Sequence, residues 1–445
     1  MKGHTLRITF DFEPGSCFDL YERIAFWDSP DTIQFFKEHG YTLYKRIGKD
    51  DYLSASTEPA LPFQDFAEGV YPYSYYDART VDSDPTPLRA SEPGAKVAFA
   101  QDSLNRHVAI KLVRDGTEEY RIMRFLSQQR LETLKDNCVV PVLELLPVEG
   151  FWFAVMPRRP QRSFELNHLA DHDFRWGESP QNPPPKIVQD VLGFMHGMLK
   201  GLAFLHEHNI SHGDMHEGNL LINHFCDVTF QGSSNIRQDL RFQQSLSYCV
   251  FDFDFAVMLS PDEDRGNFRL PCERSYGTFA KIKDTYQGEL DYNPFVFDVG
   301  NVGVTFCRLY QHLTKEIPFL APLLDKMTTR DLDRRFKASE ALRFFEDMTS
   351  QLSQSELEVQ TPQRERGEQL SYDLYDRWSH VPVDFARKWE IYKEPPLPWT
   401  TKVLRWLCER RWGHYIVAII RRFLSGMISF PRRVHTHFVG FRIRG

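Results

Sequence analysis

The chain has 445 residues, 42% of them hydrophobic and 26% charged, with a formal net charge of −7. This is ordinary globular composition, long enough for one large domain or two to three smaller ones, and its acidic balance gives no general reason to expect nucleic-acid binding. The charge is uneven, because residues 401–445 hold ten Lys and Arg against one acid, Glu409.

Taken in chain order, MKGHTLRITFDFEPGS lacks the apolar core of a signal peptide. SPDTIQFFKEHG predicts a helix with Ser29 or Asp31 as its cap and Gly40 as its stop. Prolines clustered at 84–93 predict a loop. KVAFAQ and HVAIKLV read as two strands around the turn DSLNR. TEEYRIMRFLSQQRL (117–131) reads as a helix capped by Thr117, and VVPVLELLP and FWFAVMP as two further strands. After polar, proline-rich residues 171–185 comes a long helix, IVQDVLGFMHGMLKGLAFLHEH (187–208), and the pattern stays helical apart from short strands around LLIN and YCVFDF. A strand-rich part with one helix therefore precedes a helix-rich part, which predicts an α+β chain.

Three constellations carry chemistry. In HVAIKLV, Lys111 falls mid-strand, where it either snorkels to water or faces a cleft and holds phosphates. Glu119, eight residues on in a helical pattern, is placed to fix such a lysine. In HGDMHEGNLLIN (212–223), Asp214 and Asn219 are five apart in a loop between a long helix and a short strand. Phosphoryl transfer needs a carboxylate near the attacking hydroxyl and an oxygen ligand for Mg²⁺ nearby, and this spacing supplies both. Asp252 lies in YCVFDFDFA, where a strand-end acid is costly unless it binds something such as Mg²⁺. The histidines at 206, 208, 212 and 216 lack the grouping of zinc ligands, and His212 is expected to hold its loop.

In this order — VAIK, a helical glutamate, KGLAFLHEHNISHGDMHEGN, then DFD — the chain resembles the eukaryotic protein kinase catalytic core. FDVGNVGV (297–304) looks like the helix whose Asp298 braces the catalytic loop, and RRFKASEAL (334–342) puts Arg335 in place of the structural arginine. FFKEHGYTLYKR, the VMP hinge and the insert before DFD resemble, more narrowly, the protein-kinase-like proteins expanded in mushroom-forming fungi.

The resemblance implies a bilobal protein-kinase-like fold. Residues 90–158 would be a small β-rich N-lobe with one helix, and 159–350 a larger, mainly helical C-lobe with a polar inserted loop at about 224–246. Residues 1–89 would be an extension packing on the N-lobe, and 351–445 an extension with a basic amphipathic helix. It implies ATP and Mg²⁺, and transfer of the γ-phosphoryl group to a serine or threonine hydroxyl of a protein. Lys111 would contact the α and β phosphates and pair with Glu119. Asp214 would orient the substrate hydroxyl or accept its proton, and His216 would reach a γ phosphate. Asn219 and Asp252 would bind Mg²⁺, and Phe253 would pack under the helix bearing Glu119. Met156 would be the gatekeeper, with Pro157, Arg158 and Arg159 forming the hinge against adenine.

Four departures qualify the pattern. No G-x-G-x-x-G precedes Lys111, where only Gly94 lies near. His-Arg-Asp reads His-Gly-Asp with Gly213, and the catalytic-loop lysine is His216. DFG reads DFD with Asp254, and no Ala-Pro-Glu follows. They support two alternatives: a pseudokinase acting as an interaction module, and a small-molecule kinase of the HGD-x-H type.

At the C-terminal end, Ile416, Ile419, Ile420, Phe423, Leu424 and Met427 recur at helical spacing with Arg421 and Arg422 opposite. This stripe is expected to pack on the helical part, with an anionic membrane surface or an acidic protein partner as alternatives for 401–430. The stretch 414–430 is broken by its two arginines and falls short of the roughly 20 apolar residues that span a bilayer. With seven scattered cysteines and no CxxC pair, the expectation is a soluble protein of the cytoplasm.

Overall fold

The computed structural model describes residues 6–8, 10, 20–49, 55–62, 71–74, 88, 90–91, 93–158, 184–224, 233–279, 282–364 and 371–427. The proline-rich stretch expected at 171–185, apart from its last two residues, and Arg159 of the expected hinge lie outside them. The fold is mixed α+β. Two helices come first, α1 (Leu20–Trp27) and α2 (Pro30–Glu38). Ser29 caps α2 by accepting from the Thr32 amide at 3.2 Å, Pro30 pre-sets the first turn, and Gly40 at φ +83° ends it.

Eight strands are described next: β1 (Thr42–Leu43), β2 (Lys45–Lys49), β3 (Ala55–Glu58), β4 (Ala90–Ser91), β5 (Val97–Gln101), β6 (His107–Arg114), β7 (Glu144–Val148) and β8 (Phe151–Pro157). Five of them make an antiparallel sheet in the order β1-β5-β6-β8-β7, while β2, β3 and β4 make a small separate one. Strand alternation then assigns every side chain of β6 to a face. Val108, Ile110 and Leu112 point one way and pack with Phe153, Val155, and Leu20, Ile24, Trp27 and Phe36 of the two helices. Ala109, Lys111 and Val113 point the other way, and Val113 joins the second, larger core with Ala154 and Met156. The lysine is thereby turned inward, away from α1 and α2.

Between β6 and β7 lie α3 (Glu118–Ser127) and α4 (Leu131–Asp136). The Thr117 hydroxyl accepts from the Tyr120 amide at 3.3 Å, as its capping position predicts. The helix expected over 117–131 stops at Ser127, because the chain turns there to bury Leu134 and Val139 in the larger core.

That core continues through the helical part, around α5 (Val188–Glu207). Gly201 lets a strand come in close: a Cβ there would meet Val250 Cγ2 at 2.4 Å. Short strands follow in pairs, β9 (Ile210–Ser211) with β12 (Val257–Met258) and β10 (Leu220–Ile222) with β11 (Tyr248–Val250). These ladders set loop 212–219 beside loop 251–256. The insert expected as a polar loop contains a helix, α6 (Ser233–Phe242), whose Arg237 and Arg241 are buried. Beyond it come β13 (Leu270–Pro271), β14 (Asp291–Tyr292), α7 (Pro294–Tyr310), α8 (Leu320–Thr328), α9 (Ala338–Thr349) and the single turn α10 (Gln354–Leu357).

The C-terminal segment is anchored on α8 by Asp325. Its carboxylate pairs with Arg377 and accepts from Trp378 Nε1 at 2.8 Å and the Glu394 amide at 2.9 Å. Three further helices are α11 (Val383–Lys388), α12 (Trp399–Cys408) and α13 (Arg411–Met427). Here the structure corrects the expected packing of the tail. Ile416, Ile419, Ile420, Phe423 and Leu424 face solvent, while the Met427 side chain lies outside the described residues. The helix docks by its other side, with Val417 against Gly288, Arg421 Nη2 3.2 Å from Glu289 Oε1, and His414 Nε2 3.1 Å from the Tyr276 hydroxyl. Among the described residues no helix is long and apolar enough to cross a membrane.

Candidate functional site

Lys111 stands among three carboxylates. Its ammonium nitrogen is 2.5 Å from Asp254 Oδ1, 2.6 Å from Glu119 Oε1 and 2.9 Å from Asp252 Oδ1. β6 supplies the lysine, the first turn of α3 supplies Glu119, and the loop after β11 supplies both aspartates. Burial alone would push the lysine pKa down, but the charges of Asp252, Asp254 and Glu119 more than reverse this and hold it well above its ordinary value. Burial and the nearby Asp254 charge push Glu119 up to about 8 against the pull of Lys111. Lys111 draws Asp254 well below the usual carboxylate range despite its burial. One ammonium thus faces three acids, and the protein keeps one of them close to protonation rather than carrying two uncompensated charges in a buried site.

Asp252 holds φ +66°, a left-handed backbone that costs a residue with a Cβ about 1–2 kcal/mol. The loop around it is pinned by the Phe251 amide donating to Asn219 O at 3.2 Å and the Ala256 amide donating to Phe253 O at 3.1 Å. Phe253 is fully buried in the core that includes Ile122 and Met123 of α3, with its ring centroid 5.5 Å from that of His212.

The neighbouring loop is built on Asp298. This fully buried carboxylate accepts from the amides of His212 and Gly213, both at 2.8 Å, and from His206 Nε2 at 3.1 Å. His212 accepts the Asp214 amide on Nδ1 at 3.3 Å, so its Nε2–H donates to Phe251 O at 2.9 Å and ties the two loops together. Gly213 has φ +82°, and a Cβ on it would lie 2.6 Å from the Phe255 carbonyl oxygen.

Asp214 projects from this brace. Asn219 Nδ2 donates to its carbonyl at 2.9 Å, which commits the amide nitrogen and leaves Oδ1 as the atom for a cation. His216 accepts the Gly218 amide on Nδ1 at 3.0 Å, which puts its other ring nitrogen 3.6 Å from Asp214 Oδ2. Asp214 Oδ1 accepts the Phe279 amide at 2.7 Å, and the Phe279 ring stacks on His216 at 4.5 Å. Burial raises the Asp214 pKa, but His216 and the Phe279 amide outweigh it and leave the carboxyl below its ordinary value. Asp214 is therefore an anion at neutral pH.

The structure brings Lys111, Glu119 and Asp252 together in one cluster, and Asp214, His216 and Asn219 in an adjoining one. Met156 is buried on β8, opposite Ala109 of β6. It does not bring Arg158 to either cluster. Its guanidinium is buried, donating to the Tyr44 hydroxyl at 2.7 Å and Leu88 O at 3.0 Å. Its amide donates to His107 O, and its carbonyl accepts from Ser74. Both the side chain and the backbone of Arg158 are thus committed to structure. The side chains of the four histidines have separate partners and converge on no common point; His208, just past the end of α5, donates to Phe204 O. Arg335 is buried and bonds Asp284 at 2.5 and 3.0 Å and Thr329 O at 2.7 Å. Asp284, itself partly exposed, thus gives the buried Arg335 guanidinium its counter-charge.

Asp254 is the residue that the sequence reading missed. Taken there as a lost glycine, it is one of three acids, with Glu119 and Asp252, whose ligand oxygens lie within 4.8 Å of one another. The i, i+2 pair of acids in DFD was the available signal. Such a group of oxygen donors fits a hard divalent cation, provided that Lys111 gives up part of its share. No family model matches the sequence, and no curated protein is significantly similar to it.

Proposed function

We propose that this chain is a protein-kinase-like phosphotransferase of bilobal fold that moves the γ-phosphoryl group of Mg·ATP to a protein hydroxyl. The observation that carries the reading is the 2.6 Å contact of Lys111 with Glu119, beside Asp252 and next to the loop bearing Asp214 and Asn219, which buried Asp298 braces through the His212 and Gly213 amides. The antiparallel sheet with α3, followed by the helical part, is consistent with the two lobes. Mg²⁺ would be held by Asn219 Oδ1 and Asp252, with Asp254 within reach, and would screen the phosphate charge. Lys111 binds phosphate oxygens while Glu119 fixes its position. Asp214, ionised at neutral pH, orients the attacking hydroxyl and accepts its proton. His216 and Phe279 limit where that hydroxyl can enter.

Asp214→Asn is the direct test. It keeps the side-chain shape and the Phe279 contact, so the variant should melt like wild type yet lose phosphotransfer to any accepted substrate. Equal activity of the two proteins would sink the enzymatic reading. The nucleotide site has its own test in the melting temperature with Mg·ATP. A ligand at a hundred times its dissociation constant adds about 2.7 kcal/mol, and Asp252→Asn should reduce that rise.

Two observations favour a second reading, an interaction module built on the same fold without turnover. Asp254 occupies the lysine that phosphate would need, and Phe279 occupies an oxygen of Asp214. Absence of any Mg·ATP-dependent rise in melting temperature would move the assignment there.

A further inference from the structure

We infer that α12 and α13 form a docking surface for anionic lipid membrane, a conclusion independent of the phosphotransfer reading. The two helices pack against each other, and Gly413 makes their junction tight: a Cβ on it would lie 2.0 Å from the Leu407 carbonyl oxygen. They face the body of the protein with a polar and small-residue side. Arg405 and Arg421 pair with Asp373 and Glu289, His414 meets Tyr276, and Cys408 and Val417 are buried.

At about 100° per residue, Tyr415, Ile416, Ile419, Ile420, Phe423 and Leu424 cover about half of the circumference of α13. That half faces water: Tyr415 is 72% exposed, Phe423 68% and Ile419 63%. Three tryptophans extend it, Trp399 and Trp406 from α12 and Trp412 from the start of α13, all more than half exposed. A contiguous apolar face of this kind on a water-soluble surface marks a binding site.

Charge and side-chain chemistry select the occupant. Lys402, Arg410 and Arg422 are exposed beside the apolar arc, and Arg410 lies over the Trp406 ring at 4.6 Å. A second copy of the chain docked face to face would bring these like charges together. Tryptophan and tyrosine with flanking Lys and Arg suit the headgroup layer, where rings sit at the boundary and the cations meet anionic phosphates. The sequence adds to the same sign, with ten Lys and Arg against one acid over 401–445.

The test uses the full chain and co-sedimentation with vesicles of phosphatidylcholine alone or mixed with phosphatidylserine. Wild type should bind the mixed vesicles, leave the neutral ones, and be released by salt as the charges are screened. Ile419→Asp with Phe423→Asp alters only exposed positions, so melting should be unchanged while binding weakens at least about tenfold (about 1.4 kcal/mol). Arg410→Glu with Arg422→Glu should remove the preference for phosphatidylserine. The inference is overturned if wild type ignores the mixed vesicles, or if the aspartate variant binds them as wild type does. It is equally overturned if wild type self-associates through this face, the variant stays monomeric, and neither binds lipid.

Discussion

Asp254 Oδ1 lies 2.5 Å from the Lys111 ammonium, closer than either Glu119 or Asp252. A residue that the motif resemblance casts as a missing glycine is thus the nearest counter-charge of the lysine. On the proposed reading it would compete with phosphate for that lysine. Asp254→Gly should therefore tighten Mg·ATP several-fold, read as a larger nucleotide-dependent rise in melting temperature than wild type shows. A smaller rise would instead make Asp254 a ligand of the cation.

Glu119 gives the apo protein a pH signature. Its folded pKa of about 8 lies above the ordinary 4.5, so the native state binds more protons than the unfolded one in between. Its contribution is complete below about pH 4.5 and is lost as the pH rises through about 8, at no more than about 1.4 kcal/mol per pH unit. The depressed Asp254 acts in the opposite sense, its contribution being lost as pH falls below the ordinary 3.8. Melting temperatures of nucleotide-free protein should fall across the Glu119 window, and Glu119→Gln should flatten that fall.

Gly213 is required by its backbone and by its neighbour. At φ +82°, with the Phe255 carbonyl 2.6 Å from where a Cβ would be, Gly213→Ala should destabilise by at least about 1–2 kcal/mol. Urea unfolding will show this as a lower midpoint at unchanged slope. Gly213→Arg, the usual kinase spelling, should do no better, because the strain lies in the backbone and Cβ rather than in the longer side chain.

Arg377 holds the C-terminal segment to the body through Asp325, the Tyr372 carbonyl and Cys307 Sγ. Removing one partner of such a buried pair strands the other, at about 3–5 kcal/mol. Arg377→Ala should lower the urea midpoint accordingly. Limited proteolysis should then cut first within 371–398, a segment that should resist cleavage in the wild type.

Local pattern made a good part of this molecule legible. The β5–β6 hairpin, the Thr117 and Ser29 caps and the long α5 follow from strand alternation, helix capping and apolar runs, which neighbouring residues determine. The pairing of Lys111 with Glu119 was foreseen from spacing, because a strand followed at once by a helix leaves few ways to turn the two side chains. Asp298 as the brace of loop 212–219 came only through the family resemblance.

Other features were settled by contacts distant in sequence. Arg158 was read as part of a hinge, but Tyr44 and Leu88, from segments far upstream, claim its guanidinium. Asp254 was read as a loss, yet only the approach of β6 and α3 to the 252–254 loop makes it a partner. The stripe on α13 is visible in sequence as amphipathic, but periodicity cannot say which side docks. Val417, His414 and Arg421 decided that by meeting Gly288, Tyr276 and Glu289, and the apolar side was left facing outward. Sequence specifies which faces a helix or strand has; the packing of remote segments specifies what each face touches, because burial and ion pairing are properties of surfaces assembled from many parts of the chain.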